Sequence, residues 1–186
     1  MKLFEWLGEE YILEFPFEVW ECGPAAGWNE SLTAFYDPGR FRKFDLALGD
    51  NDWPVFSERL RRFLEKEVPG CIRFFPILLS HSDGSGEISG YCVGELLKVV
   101  DCIDRSQTIS TNNWVLAGRN QSFQLQAPII LDPKPIGEER LFRVKGYSRP
   151  IVVTDDLKKA VQAGSFRRQI YTPMQTSIIA GKAKRP

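Results

Sequence analysis

The sequence predicts an α+β fold, a single domain with a mixed or antiparallel sheet and two or three short helices packed on it. Three observations predict it. Residues 55–66 and 154–163 carry apolar side chains at helical spacing, each behind a hydroxyl residue suited to cap a helix. The apolar runs around them are short and rich in β-branched and aromatic residues, as strands are. The length, 186 residues, is that of one domain, and such a chain buries about 70% of its unfolded surface without a metal or disulfide staple.

Residues 1–50 form an aromatic-rich, acidic N-terminal segment packed on the main domain. YILEF and SLTAFY are its candidate strands, and Tyr36 to Arg40 (YDPGR) is a turn. The main domain spans 51–178. Its first helix follows Pro54, with Trp53, Phe56, Leu60, Phe63 and Leu64 on one face, and Pro69–Gly70 ends it. CIRFFPILL reads as a buried strand and residues 80–90 as a flexible polar loop. YCVGELLKVVDCID suits a helix by spacing and a strand by its valines, so both readings stand. SFQLQAPIIL, RLFRVKG and RPIVVT read as strands. The second helix starts at Thr154, with Asp155 and Asp156 in its first turn, and stops at Gly164. Residues 179–186 are a basic tail.

The chain partly repeats itself at an offset of 97 residues. Val55 matches Val152, Ser57 matches Thr154, Leu60 matches Leu157, Phe74 matches Tyr171 and Pro76 matches Pro173. Each copy runs through apolar residues, a hydroxyl cap, a short helix, a strand and a proline. Two copies are too few for a solenoid, and they read as equivalent units of one domain.

Charge excludes some functions and suggests others. The formal net charge is zero, so a strongly basic nucleic-acid binder is not indicated and no direct nucleic-acid contact is expected. Residues 1–60 hold 12 acidic and 5 basic side chains, and residues 61–186 hold 12 and 19. An acidic first third either packs on the basic remainder or offers a face to a basic partner. The start lacks a signal-peptide core, FFPILL is far too short for a membrane helix, and no CxxC pair occurs among Cys22, Cys71, Cys92 and Cys102. Reduced thiols in a cytoplasmic protein are expected.

No catalytic, metal or cofactor site assembles in the sequence. His81 is the sole histidine, flanked by Ser80, Ser82 and Asp83, and loop neighbours rarely make a triad. One histidine and four scattered cysteines lack zinc spacing. GSGEISG, from Gly84 to Gly90, lacks the ending of a phosphate loop and reads as a hairpin loop. Tryptophan beside acid makes a plausible protein-binding anchor. Trp28 with Glu30, and Asp50 and Asp52 with Trp53, are the candidate partner-binding residues, although Trp53 equally suits a core position at the helix start.

FSERLRRFLEKEVPGCIRFFPILL, GYCVGELLKVVDCIDRSQ and LFRVKGYSRPIVVTDDLKKAVQAGSFRRQIYTP together resemble a bacterial immunity-protein family of the myxobacterial type, associated with polymorphic toxin systems and formerly a domain of unknown function. The resemblance covers about residues 53–175 and rests on the order of Pro76, Tyr91 to Asp104, Phe142 and Arg143, Thr154 to Leu157, and Tyr171 to Pro173. Gly94–Glu95 departs from the Leu-Asn usual there. The resemblance implies a non-enzymatic protein, without cofactor, that binds a cognate toxin and neutralises it by stoichiometric occlusion. A small cytosolic enzyme or a regulatory binding module is the alternative. The sequence leaves the oligomeric state open.

Overall fold

The computed structural model describes residues 1–10, 13, 32–37, 41–49, 53–108, 129–147 and 151–177. Twelve strands and two helices follow in order: β1 Leu3–Leu7, β2 Glu9–Glu10, β3 Thr33–Tyr36, β4 Leu46–Leu48, β5 Pro54–Ser57, α1 Glu58–Glu67, β6 Ile72–His81, β7 Glu87–Leu96, β8 Val99–Val100, β9 Ile130–Leu131, β10 Leu141–Val144, β11 Ile151–Thr154, α2 Asp155–Ala163 and β12 Ile170–Thr176.

They form two six-stranded sheets, ordered β8-β10-β11-β1-β12-β9 and β2-β4-β5-β7-β6-β3. This corrects the expected α+β fold with helices on one sheet. The protein is mostly β, with 44% of the described residues in strands and 15% in helix. The segment from Tyr91, left open between helix and strand, supplies much of the difference. Val93 and Leu96 have helical spacing, but β7 pairs with β6 along its length and with β5 at Tyr91 to Val93, so ladder bonds decide against a helix. The expected polar loop is a hairpin between β6 and β7, turned at Ser82–Gly86 and closed by His81 N–H donating to Gly86 O at 2.8 Å.

The 97-residue offset is the offset between structural equivalents from β5 to β6 and β11 to β12, and the correspondence, at other offsets, reaches the whole fold. Each half of the chain runs through five strands, a helix and a strand. The two sheets match strand for strand: β2 with β8, β4 with β10, β5 with β11, β7 with β1, β6 with β12 and β3 with β9. Directions agree at every pairing, including the parallel outer pairs β2–β4 with β8–β10 and β3–β6 with β9–β12. Register agrees too. Cys92 faces both Phe56 and Pro76, and Phe4 faces both Val153 and Pro173. The first strand of each repeat sits in the other repeat's sheet, so the two halves exchange a central strand. The chain crosses between the sheets at Gly8, where an added Cβ would lie 2.6 Å from Leu46 O.

One apolar cluster joins the repeats. Phe4, Trp6 and Val153 of one sheet meet Leu46, Phe56 and Cys92 of the other, with Leu60 and Leu64 of α1 and Leu157 and Val161 of α2. Alternate strand residues point the other way into two further clusters, Val55, Leu79 and Val93 on one side and Phe142, Leu131 and Val152 on the other. The strands β5 and β11 are therefore buried on both faces. Bulk is traded between equivalent places: Phe56 fills one sheet because Gly94 leaves room, while Val153 leaves room for Trp6. A Cβ on Gly94 would lie 2.4 Å from the Phe56 ring, and Trp6 stacks on Tyr171 at 6.0 Å.

Ser57 caps α1 by accepting from Leu60 N–H at 3.2 Å. Thr154 holds the same place before α2 with extended backbone, but its hydroxyl makes no cap and turns to Arg140 O at 3.5 Å. Pro76 and Pro173 sit on the stretches of β6 and β12 outside the pairing with β3 and β9, where a residue without an N–H is tolerated on a strand at the side of a sheet.

Candidate functional site

An open cleft of about 360 Å³ lies where the N-terminus of α1, the start of β7 and the turn after α2 converge. Its floor is Asp45, 4% exposed just ahead of β4. Ser57 Oγ donates to Asp45 Oδ1 at 2.5 Å. Asp45 Oδ2 accepts from Arg59 Nη2 at 2.9 Å and from the backbone N–H of Arg167 at 2.6 Å. Burial works to raise its pKa, but the hydrogen bonds from Arg59, Arg167 and Ser57 prevail and hold it below the usual carboxylate range. Asp45 is thus a fixed anion whose acceptors are occupied. That suits a structural tie between repeats better than a general acid or base.

The walls are built from both halves. Arg59 also donates to Ser165 O at 3.0 Å and lies 4.5 Å over the Phe166 ring. Glu58 is held by Arg61 and Arg62 at 3.0 and 2.9 Å. Tyr91 lines the cleft with its hydroxyl 3.5 Å from Phe44 O, and burial raises its pKa. The turn after α2 takes Ser165 (φ 51°) and Arg168 (φ 58°) into the left-handed region, whereas the turn after α1 uses Gly70 there. A non-glycine residue so placed costs about 1–3 kcal/mol. The two strained residues flank Arg167, which joins exposed Lys43 on the cleft wall.

His81 does not form a triad. Its Nδ1 meets Ser85 Oγ at 2.7 Å and lies 3.8 Å from Asp83 Oδ1, so nucleophile and carboxylate candidates crowd one ring nitrogen, whereas a triad uses both. Asp83 accepts from Ser85 N–H at 2.8 Å, which shapes the hairpin tip, and the imidazole packs edge-on to Tyr36. Cys71, Cys92 and Cys102 are buried free thiols, and burial pushes Cys92 and Cys102 up to about 12, far from nucleophilic thiolates. Among the described residues no three His, Cys, Asp or Glu side chains converge on a metal position, and no helix is long and apolar enough to cross a membrane.

Of the partner-binding residues expected from the sequence, Trp28, Glu30, Asp50 and Asp52 lie outside the described residues. Trp53 is half-buried ahead of β5, packed against the cluster around Val55 and Leu79, and its carbonyl accepts from Gly49 N–H at 2.9 Å. Sequence reasoning missed Asp45 and the cleft around it. The available signal was the repeat itself: Ser57 N–H donates to Asp45 O as Thr154 N–H donates to Arg140 O, so an acid in one copy stands where the other has a base.

No curated protein sequence matches the chain. A family model described as an immunity protein family (Imm11) matches residues 8–176, a span that takes in every element from β2 to β12. With that match across nearly its whole length, the chain belongs to this immunity protein family.

Proposed function

We propose that the protein neutralises a cognate bacterial toxin by binding it stoichiometrically and covering its active site or substrate path. The observation that carries this reading is the family match over residues 8–176. The chemistry of the described groups is consistent with binding: Asp45 is saturated with donors, the buried thiols are held protonated, and His81 serves the hairpin tip. The reading places the protein in the cytoplasm, within a polymorphic toxin system, without a cofactor. Trp28, Glu30, Asp50, Asp52 and Trp53 form an acidic, aromatic contact for a basic toxin site, because buried aromatics supply hot-spot energy and charges set the encounter rate.

The test is co-expression with the toxin domain encoded in the adjacent reading frame. The reading predicts survival of the host cells and co-purification of the two chains. Cell death with both proteins abundant and soluble contradicts it.

A further inference from the structure

We infer that the cleft above Asp45 is a second contact for the toxin, one that receives a carboxylate-bearing segment between Lys43 and Arg167. The inference rests on the neutralisation reading and names the chemistry of the partner at one place.

The charges in the cleft do not cancel. Asp45 is matched by Arg59, and Glu58 by Arg61 and Arg62. Lys43 and Arg167 remain, exposed, with no carboxylate partner among the described residues. Arg167 lines the cleft together with Tyr91. Its backbone is held at the cleft by the N–H bond to Asp45 and by Gln169 Nε2 donating to Arg167 O at 2.6 Å.

The second repeat is an internal control for what the fold itself demands. Lys43 lies two residues before Asp45, and Glu138 lies two before Arg140. Arg59 lies two residues after Ser57, and Asp156 lies two after Thr154. All three pairs have opposite charge, yet both copies fold alike. In the second repeat Arg140 is bonded to Asp156 at 2.6 Å and to Glu67 O at 2.8 Å, as Asp45 is to Arg59 in the first, and Glu138 is exposed like Lys43. The fold accepts either sign at these places, so it does not require a cation at Lys43. The turn after α1 likewise does without such strain, since the residue it takes into the left-handed region is Gly70.

A single carboxylate side chain fits this site better than a nucleic-acid backbone. A polyanion tracks a stripe of cations, whereas here the carboxylates of Asp45 and Glu58 share the cleft lining with Lys43 and Arg167. Phe44 and Ile88 add apolar wall for the stem of a Glu or Asp-bearing loop.

The experiment measures association rate against ionic strength for the toxin domain of the adjacent reading frame, carrying an inactivating substitution. It uses wild type, the neutral pair Lys43→Gln/Arg167→Gln, the reversed pair Lys43→Glu/Arg167→Glu, and Glu138→Lys at the equivalent place of the second repeat. The neutral pair should associate about tenfold more slowly at low salt with a flatter salt dependence, and the reversed pair more slowly still. Glu138→Lys should match wild type. The substituted side chains are exposed, and equal melting temperatures verify the fold. Wild-type rates and slopes in both pairs overturn the inference while leaving neutralisation standing. Loss of binding to a fluorescent oligonucleotide in the neutral pair, with toxin association unchanged, overturns it in favour of nucleic acid. A wild-type protein that does not bind the toxin overturns both readings.

Discussion

Asp45 and Arg140 occupy the same place in the two repeats, each with its carbonyl accepting the N–H of the residue that precedes a helix, Ser57 in one copy and Thr154 in the other. Their side chains carry opposite charge and do the same work. Asp45 ties the N-terminus of α1 to the turn after α2, through Arg59 and the N–H of Arg167. Arg140 ties the N-terminus of α2 to the end of α1, through Asp156 and the carbonyl of Glu67. Each helix start is thereby fastened to the other repeat's helix end, alongside the exchanged strands β1 and β7.

The tie at Asp45 predicts a pH-dependent stability. Asp45→Asn should cost about 2–3 kcal/mol at neutral pH, the range for hydrogen bonds to a charged group. The folded-state pKa of Asp45 is lowered, so its contribution is complete above the unfolded value of about 4 and fades as pH falls through the folded value. The gap in melting temperature between wild type and Asp45→Asn should therefore shrink in acid below about pH 4. Thermal melts across pH check this, and a gap constant into strong acid would show that the charge of Asp45 is not what holds the tie.

Leu60 and Leu157 are equivalent, fully buried members of the central cluster. Leu60→Asp and Leu157→Asp should each unfold the whole protein, since an unpaired buried charge costs several kcal/mol against a total stability of about 5–15. Circular dichroism and melting curves decide. A protein that melts in two steps, with one repeat intact, would contradict the strand exchange as the source of cooperativity.

His81→Ala should leave protection of toxin-expressing cells intact. Its partners are Ser85, Asp83 and Tyr36, all within or beside the hairpin, so the loss is confined to local packing. The same holds for Asp83→Ala, and Cys92→Ser should lower stability alone. A folded His81→Ala variant that no longer protects would restore the enzyme alternative.

Reversal of the acidic pair, Asp50→Lys with Asp52→Lys, should slow association with the toxin and reduce its salt dependence, with little change in melting temperature. Kinetics against ionic strength measure it. Rates and slopes equal to wild type would remove this segment from the interface.

The sequence carried the repeat where the fold constrains it most. Ser57 and Thr154, Leu60 and Leu157, and Pro76 and Pro173 recur because a helix entry, a buried helix face and a strand position outside the ladder pairing each restrict the residue allowed. The exchanged strands hid their kinship. β1 reads LFEWL and β7 ends CVGEL, because a central strand asks only for the right volume, and Trp6 with Val153 fills the space that Gly94 with Phe56 fills elsewhere. Helical spacing in β7 was an accident of where its valines and leucines fall, and only pairing on both sides resolves it. The cleft was illegible because Asp45 finds its partners 14 and 122 residues away in the chain.

The central claim, neutralisation by stoichiometric binding, is tested most directly by titrating the purified protein into the active toxin domain of the adjacent reading frame and following the toxin's activity. The account predicts a linear fall to zero at equimolar protein, with both chains chemically unchanged by mass spectrometry. Complete loss of toxin activity at a small fraction of an equivalent, or a covalent change in the toxin, would contradict it.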